Sequence, residues 1–412
     1  MIIKYLRYIL IWWLIFLSGV TVVGLVSWAS QPATTGYPPK QKKEISMTLQ
    51  KSSLDSQSPS RQTKVSLAKK TPVVQPPSVF TATVILGWDI MLSRTIGYEN
   101  KKQWYDRIFR WTWYNPINNI AWCKGWWCLL FFNLESQFSL RDNDVYEKTF
   151  IFKANTGNIA VLEWLRGKNT LAVSLANNHV NNAWWEGMAT TRSLLDSHGI
   201  HHVWAGNSKE QAREIMTFKH NTITRCVWWY SYDGAWGIYW WKPLYWNRAE
   251  KATMLADLET MKTTLRCDIK AMMIHRWAEY RMKPNAEQTT IAHALVDSGL
   301  DLLIWAHSHV PGHIEHYKGK YIFYSLGNAL FDQDRGMKSI QAGMDTIYDA
   351  QLGKKTVPTY ITLFPEMIAT KNSSGTSLSL VTLHTARLEK GLYSPNDTVT
   401  EKNLIDSIFP TK

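Results

Sequence analysis

Six short apolar runs recur between residues 81 and 328, and nearly every one ends in a polar side chain able to bind a metal ion. The runs are TATVILG (81–87), CLLFFNLE (128–135), NTLAVSLANNH (169–179), IKAMMIH (269–275), LDLLIWAHSH (300–309) and YIFYSLGN (321–328). Between them, residues 185–197, 249–265 and 286–298 have helix-forming composition. In the last of these Ile291, Ala294 and Leu295 fall on one helical face. Strand-length apolar runs alternating with helices are the pattern of an α/β domain. The polar endings are Asp89, Glu135, Asn177-Asn178-His179, His275, His307, His309 and Asn328. Buried strands of an α/β sheet gather their C-terminal ends along one edge, and ligands bind there. Six coincidences at one topological position are a weaker account of these residues than a site.

Taken singly, each residue has a bland reading. His275 could be a core histidine, Asp89 a helix cap, Glu135 a solvated carboxylate, and Asn177 and Asn178 turn formers. His307-Ser308-His309 says more, because alternate residues of an extended segment point the same way and can bracket an ion. The donor set is oxygen plus imidazole with no thiolate, which suits Mn, Zn, Fe or Mg. A carboxylate can bridge two divalent ions, and such a pair clamps an attacking water and a leaving oxygen. A neighbouring imidazole outside the ligand set could protonate the leaving group, and His179 is the candidate.

The ends of the chain differ from this middle. YILIWWLIFLSGVTVVGLVSWA (8–29) carries no charge, and its 22 residues can cross a hydrocarbon core of about 30 Å. Lys4 and Arg7 precede it, which favours a cytoplasmic N-terminus (1–7) and a transmembrane anchor (8–29). A cleaved signal peptide, with Ser27 and Ala29 near its end, is the rival. Either places the domain on the extracytoplasmic side of the cell membrane. Residues 30–79 are rich in Ser, Gln, Lys, Thr and Pro and read as a flexible basic linker. Much of the +13 formal charge lies there: Lys40, Lys42, Lys43, Lys51, Arg61, Lys64, Lys69 and Lys70 face only Glu44 and Asp55. A basic tether suits anionic lipid or a cell-envelope polymer, and no nucleic-acid-binding signature accompanies it. The folded part is expected at 80–345. Residues 346–412 hold two plausible strands, YITLFPEMI (360–368) and SLSLVTLHTARLE (377–389), expected to complete it. Four cysteines form no disulfide scaffold in a chain of this length. Cys123 and Cys128 are close enough to pair, and Cys226 and Cys267 each open an apolar run.

The stretch 81–336 resembles the capsule-synthesis CapA family of poly-γ-glutamate production, itself related to calcineurin-like metallophosphoesterases. The resemblance rests on DIMLSR (89–94), FNLES (132–136), LANNHV (175–180), the HR-AEY pattern (275–280), AHSHVPGHIE (306–315) and YSLGNALFDQ (324–333). It implies an α/β, metallophosphoesterase-like sandwich of two β-sheets flanked by helices, rather than one doubly wound sheet. It also implies metal ligation by Asp89, Glu135, Asn178, His275, His307 and His309, with His179 beside the ions. Asn133, Asn177, Arg276, Glu279, Tyr280 and Asn328, within the same motifs, are assigned to substrate binding. The expected function is membrane-anchored capsule or poly-γ-glutamate biosynthesis with a metal-dependent hydrolase or transferase site. The alternative is a non-catalytic subunit that binds the anionic polymer and supports a membrane synthase complex.

Two departures from the family pattern stand out. Trp88, Trp184, Trp204, Trp277 and Trp305 occupy motif positions where the family has glycine, and tryptophan is as abundant as glycine, 22 each. Glycine is normally among the commonest residues. Some bacterial lineages read UGA as glycine, and translating such a gene with UGA as tryptophan would produce this pattern. The alternative is a diverged member whose cleft has closed. The second departure is Asn182, where relatives often have Asp.

Overall fold

Val84, Ile85, Leu86, Trp88 and Ile90 leave the first strand no polar face, and that strand accordingly lies inside a sheet. The computed structural model describes residues 79–102, 128–140, 150–203, 205–206, 208–231, 245–333, 340–389 and 392–409. The expected N-terminus (1–7), anchor (8–29) and linker up to residue 78 lie outside the described residues, as do Cys123 and Trp204. Among the described residues, no helix is long and apolar enough to cross a membrane.

Two mixed sheets carry the domain. The first opens with β1 (Phe80–Ile90), β2 (Leu129–Leu134), β3 (Thr170–Ser174) and β4 (His201–Val203). The second consists of β5 (Met216–His220), β6 (Ile223–Ser231), β7 (Ile269–His275), β8 (Leu302–Ala306), β9 (Ile314–Tyr317) and β10 (Lys320–Phe323). The chain then returns to the first sheet with β11 (Asn328–Leu330), β12 (Ile361–Asn372), β13 (Gly375–Glu389) and β14 (Leu392–Ser394). The eight-stranded first sheet runs β14-β13-β12-β1-β2-β3-β4, with β11 paired to the end of β1. The six-stranded second sheet runs β9-β10-β8-β7-β6-β5. β1 to β4 are parallel neighbours, and so are β6, β7, β8 and β10. Each sheet therefore has its own row of C-terminal strand ends.

The alternation of side chains shows how the layers stack. Leu129 and Phe131 of β2 share a core with Val227, Met273 and Ile304 of the second sheet. Leu130 and Phe132 point the other way, into a core with Leu162 and Leu165 of α2 (Ile159–Arg166) and Met188 and Leu195 of α3 (Trp184–Ser197). The first helix, α1 (Arg94–Lys102), follows β1 directly. On the second sheet, α4 (Lys251–Thr263) contributes Met254, Leu258 and Met261, and α5 (Ala286–Asp297) contributes Ile291 and Leu295. The buried face of α5 is Ile291, Ala292, Leu295 and Val296, so Ala294, expected on that face, is only half-buried. The order is helices, sheet, sheet, helices.

Three local features position the polar strand ends. The β1–β2 register shifts between Leu86 and Asp89, and this irregularity sets Asp89 opposite Asn133. The run 321–328 is not one strand. The chain leaves the second sheet after Phe323 and joins the first at Asn328, which pairs with Asp89. Gly327 allows the crossing: its φ is +78° and a Cβ there would lie 2.5 Å from the Ile361 carbonyl. Finally, β12 pairs antiparallel with β1 from Phe80 to Ile85, so residues after 345 reach the centre of the first sheet. The C-terminal helix α6 (Thr398–Ile408) is capped by Asp397, which accepts from the Val399 and Thr400 N–H groups. Cys226 and Cys267 form a disulfide, Cys128 is disulfide-bonded, and no described cysteine is free.

Candidate metal centre

The two rows of strand ends meet. Asp89 near the end of β1 and Glu135 just after β2 come from the first sheet, and His275 ends β7 of the second. One donor atom from each lies within 4.8 Å of the others, and all three residues are buried. Glu279, His307 and His309, from the loops after β7 and β8, form a second such group. His275 and His307 join the groups, their ring centroids 4.8 Å apart. The protein builds this site from both sheets.

Within the first group the hydrogen bonds are crowded with acceptors. Asn133 Nδ2 donates to Asp89 Oδ1 (2.8 Å) and Glu135 Oε1 (3.1 Å), and lies 3.1 Å from His275 Nδ1. His275 Nε2 is 2.9 Å from Asn178 Oδ1 and 3.2 Å from Glu135 Oε1. Glu135 Oε2 and His307 Nδ1 are buried with no hydrogen-bond partner. Such orphaned atoms are costly in a protein interior. The electrostatics point the same way. Burial and the neighbouring Asp89 hold the Glu135 carboxyl well above its ordinary value. His275 is held well below the usual histidine range by burial and then by His307 and His309. Burial, then His309, lowers His307 to about 4. His309 is opposed by burial too, yet Glu135, Asp89 and Glu279 push it up to about 10. Two buried carboxylates and an excess of acceptors demand positive charge. Oxygen and imidazole donors at these distances fit a hard or borderline divalent cation.

His179 sits beside this group with its ring orientation fixed. Asn182 Oδ1 accepts the Phe152 N–H (2.6 Å), which identifies it as the amide oxygen. His179 Nδ1, 2.9 Å from the same oxygen, must therefore carry a hydrogen and donate it. Nε2 is left with its lone pair, facing Asn178 Nδ2 at 3.2 Å. Burial lowers the His179 pKa to about 3, with the Asn182 hydrogen bond opposing and His309 and His307 assisting. Phe152 stacks on the imidazole, centroids 3.8 Å apart. Arg94 lies 5.1 Å above the same Phe152 ring and forms a two-pronged ion pair with buried Asp332. Motif reading singles out neither Arg94 nor Asp332, although both fall in quoted motifs. Phe152 carries no sequence signal at all.

The residues assigned to substrate binding are placed unevenly. Asn133 lies inside the cluster between the two carboxylates. Asn177 is committed to the protein: its Nδ2 donates to Asn133 Oδ1 (3.1 Å) and the Leu134 carbonyl (2.9 Å), and its Oδ1 accepts the His179 N–H (3.0 Å). Asn328 Oδ1 is 2.9 Å from His309 Nδ1, while its Nδ2 donates to the Thr359 carbonyl at 2.8 Å. Arg276 donates to the Ala249 carbonyl (3.2 Å) and reaches Glu287. Glu279 is exposed and within ligand reach of His307 and His309. The Tyr280 hydroxyl accepts from Gln333 Nε2 at 3.1 Å, and its pKa is raised by burial and by Glu279.

The backbone is unusual around this cluster. Trp277, Tyr280, His307 and His309 all have positive φ, at 86°, 61°, 89° and 57°, as does Trp184 at 61°. Non-glycine residues at positive φ gather at sites where surrounding structure over-determines them.

Residues 83–333 match the family described as bacterial capsule synthesis protein PGA_cap. The PGA biosynthesis protein CapA of Bacillus subtilis (strain 168) is 27% identical over 256 residues, covering 60% of this chain and 62% of that protein. The chain thus spans less than two thirds of that relative. A Mycobacterium tuberculosis protein named "Probable polyglutamine synthesis accessory protein" is 24% identical over 367 residues, 79% of this chain and 90% of its own. Among solved structures, a phosphatase of Mycoplasma pneumoniae aligns with 79% of this chain and 98% of its own at 11% identity and a TM-score of 0.41.

Proposed function

Since this chain belongs to the bacterial capsule synthesis family PGA_cap, we propose that it acts in capsule or poly-γ-glutamate biosynthesis as a metal-dependent hydrolase or transferase. The observation that carries the reading is the meeting of Asp89, Glu135, Asn178, His275, His307 and His309 at the strand ends of two sheets. These six, with Glu279 as a seventh donor, would hold one or two divalent ions, Mn, Zn, Fe or Mg. A divalent ion so held supplies Lewis acidity and makes water nucleophilic at neutral pH. His179 is neutral, so its Nε2 takes a proton before it can give one to a leaving group. Arg94, paired with Asp332 and lying over Phe152, buttresses the ring that stacks on His179.

In this reading residues 8–29 anchor the chain and residues 30–79 tether a metallophosphoesterase-like two-sheet domain on the extracytoplasmic side. The Cys226–Cys267 disulfide supports an oxidising compartment. The basic linker would lie near anionic lipid or polymer. The second reading, an accessory subunit that binds polymer beside a membrane synthase, is favoured by the name of the Mycobacterium relative, an accessory protein.

Assay of the purified protein with Mn or Zn on poly-γ-glutamate and on a simple phosphodiester separates the two. The expected result is metal-dependent cleavage that His309→Ala abolishes together with metal uptake. Cleavage unchanged in His309→Ala overturns the hydrolase reading. Polymer binding without cleavage by the metal-loaded protein selects the accessory role.

A further inference from the structure

Position 184 opens α3 at φ +61°, its indole 52% exposed, immediately after the loop that carries Asn178 and His179. Position 277 has φ +86° and lies two residues from both His275 and Glu279. For a side chain as large as tryptophan, either conformation is a genuine outlier. Glycine adopts both freely.

Position 305 shows a different strain in the same place. Trp305 lies in β8, fully buried, two residues before His307, and its Nε1 has no hydrogen-bond partner. Its ring meets that of Trp277 at 4.3 Å. The loop carrying Glu279 docks onto the 307–309 segment through the Tyr280 N–H, which donates to the Ser308 carbonyl at 2.7 Å. Three residues before that bond, the two indoles meet between the loop and the strand. Three tryptophans thus conflict with the backbone or the core, and all three flank the candidate ligands. The chain has as many tryptophans as glycines, 22 each.

We propose that the polypeptide made by its own organism carries glycine at 184, 277 and 305, inserted at UGA codons. The space between the Glu279 loop and β8 is then backbone-lined, and Glu279 keeps its place beside His307 and His309 without the two indoles. Nothing in this depends on the hydrolase reading, and its first test is independent of any assay.

That test is the gene. UGA is expected at codons 184, 277 and 305, and UGG at any of the three overturns the proposal. Peptide sequencing of the protein from its native cells must likewise find glycine at all three positions, and tryptophan there overturns it. Two expressed variants test the structural half. Trp184→Gly removes only the exposed strained residue and is expected to raise Tm; a fall overturns the assignment at 184. The triple variant W184G/W277G/W305G is expected to bind Mn2+ at least several-fold more tightly by calorimetry than the chain with tryptophan. Equal or weaker binding overturns the assignment of glycine at 277 and 305.

Discussion

Asn182 decides which nitrogen of His179 faces the metal ligands. Its amide oxygen is already held by the Phe152 N–H, so it receives the Nδ1 hydrogen and leaves Nε2 directed at Asn178. Removing this acceptor in Asn182→Ala frees the ring without touching a ligand. The expected effect is a loss of kcat of about 10-fold or more with little change in KM, as for other groups that orient a functional histidine. Asn182→Asp keeps the acceptor and should restore most of the rate, while moving the alkaline limb of the pH profile upward, because a carboxylate favours imidazolium, the form that gives a proton to the leaving group. A loss of metal binding in Asn182→Ala, measured by calorimetry, would show a merely structural role. The residue scale is also where the sequence is most legible. Asp89, Glu135, Asn178, His275, His307 and His309 stand at ends of apolar runs, and chemistry-bearing side chains at such ends are conspicuous. Arg94, Asp332 and Phe152 escaped because each acts through a neighbour distant in the chain, 238 residues away for Arg94 and Asp332. Spacing carries no trace of that.

At the scale of elements, the run 269–275 became β7 over the same residues, since polar Asp268 and Arg276 bound a stretch that is apolar except for Lys270 and the terminal His275. The run 321–328 split because hydrophobicity reports burial and not which of two sheets a residue joins. Asp268 also ties those sheets together at the end opposite the site. It accepts from Lys371 of β12 at 2.7 Å and from the Thr224 N–H of β6 at 2.8 Å. Burial pulls the Asp268 pKa up, but Lys371 and Thr224 outweigh it and the net value falls below the usual 3.8. A carboxyl with a depressed folded pKa contributes stability above its unfolded pKa and loses it as pH falls through the folded one. Asp268→Asn should therefore lower the urea midpoint at neutral pH, and the gap from the parent should close in acid below about pH 4. A gap that persists unchanged in acid would contradict the ion-pair account. Helix α6 offers a cleaner magnitude: Asp397→Ala removes its cap and should cost about 1 kcal/mol in chemical denaturation.

Among the described residues the domain is built on two large sheets, each covered by helices and joined face to face. The Cys226–Cys267 disulfide closes a loop of 41 residues within the second sheet's half. On chain-entropy grounds such a loop contributes roughly 4 kcal/mol. The Cys226→Ala/Cys267→Ala variant should therefore have a Tm several degrees lower; a Tm unmoved in that variant would show that the bond adds nothing to the fold. The crossing from Phe323 to Asn328 has a wider consequence. Asp89, Glu135 and Asn178 belong to one sheet and His275, His307 and His309 to the other, so neither half alone assembles the cluster. A ribosome must have delivered residue 309 before the last donor finds the first. A chain threaded through a membrane unfolded could then carry no ion with it. It would load from whatever supply the destination compartment offers, and the metal in the finished protein would record where folding took place.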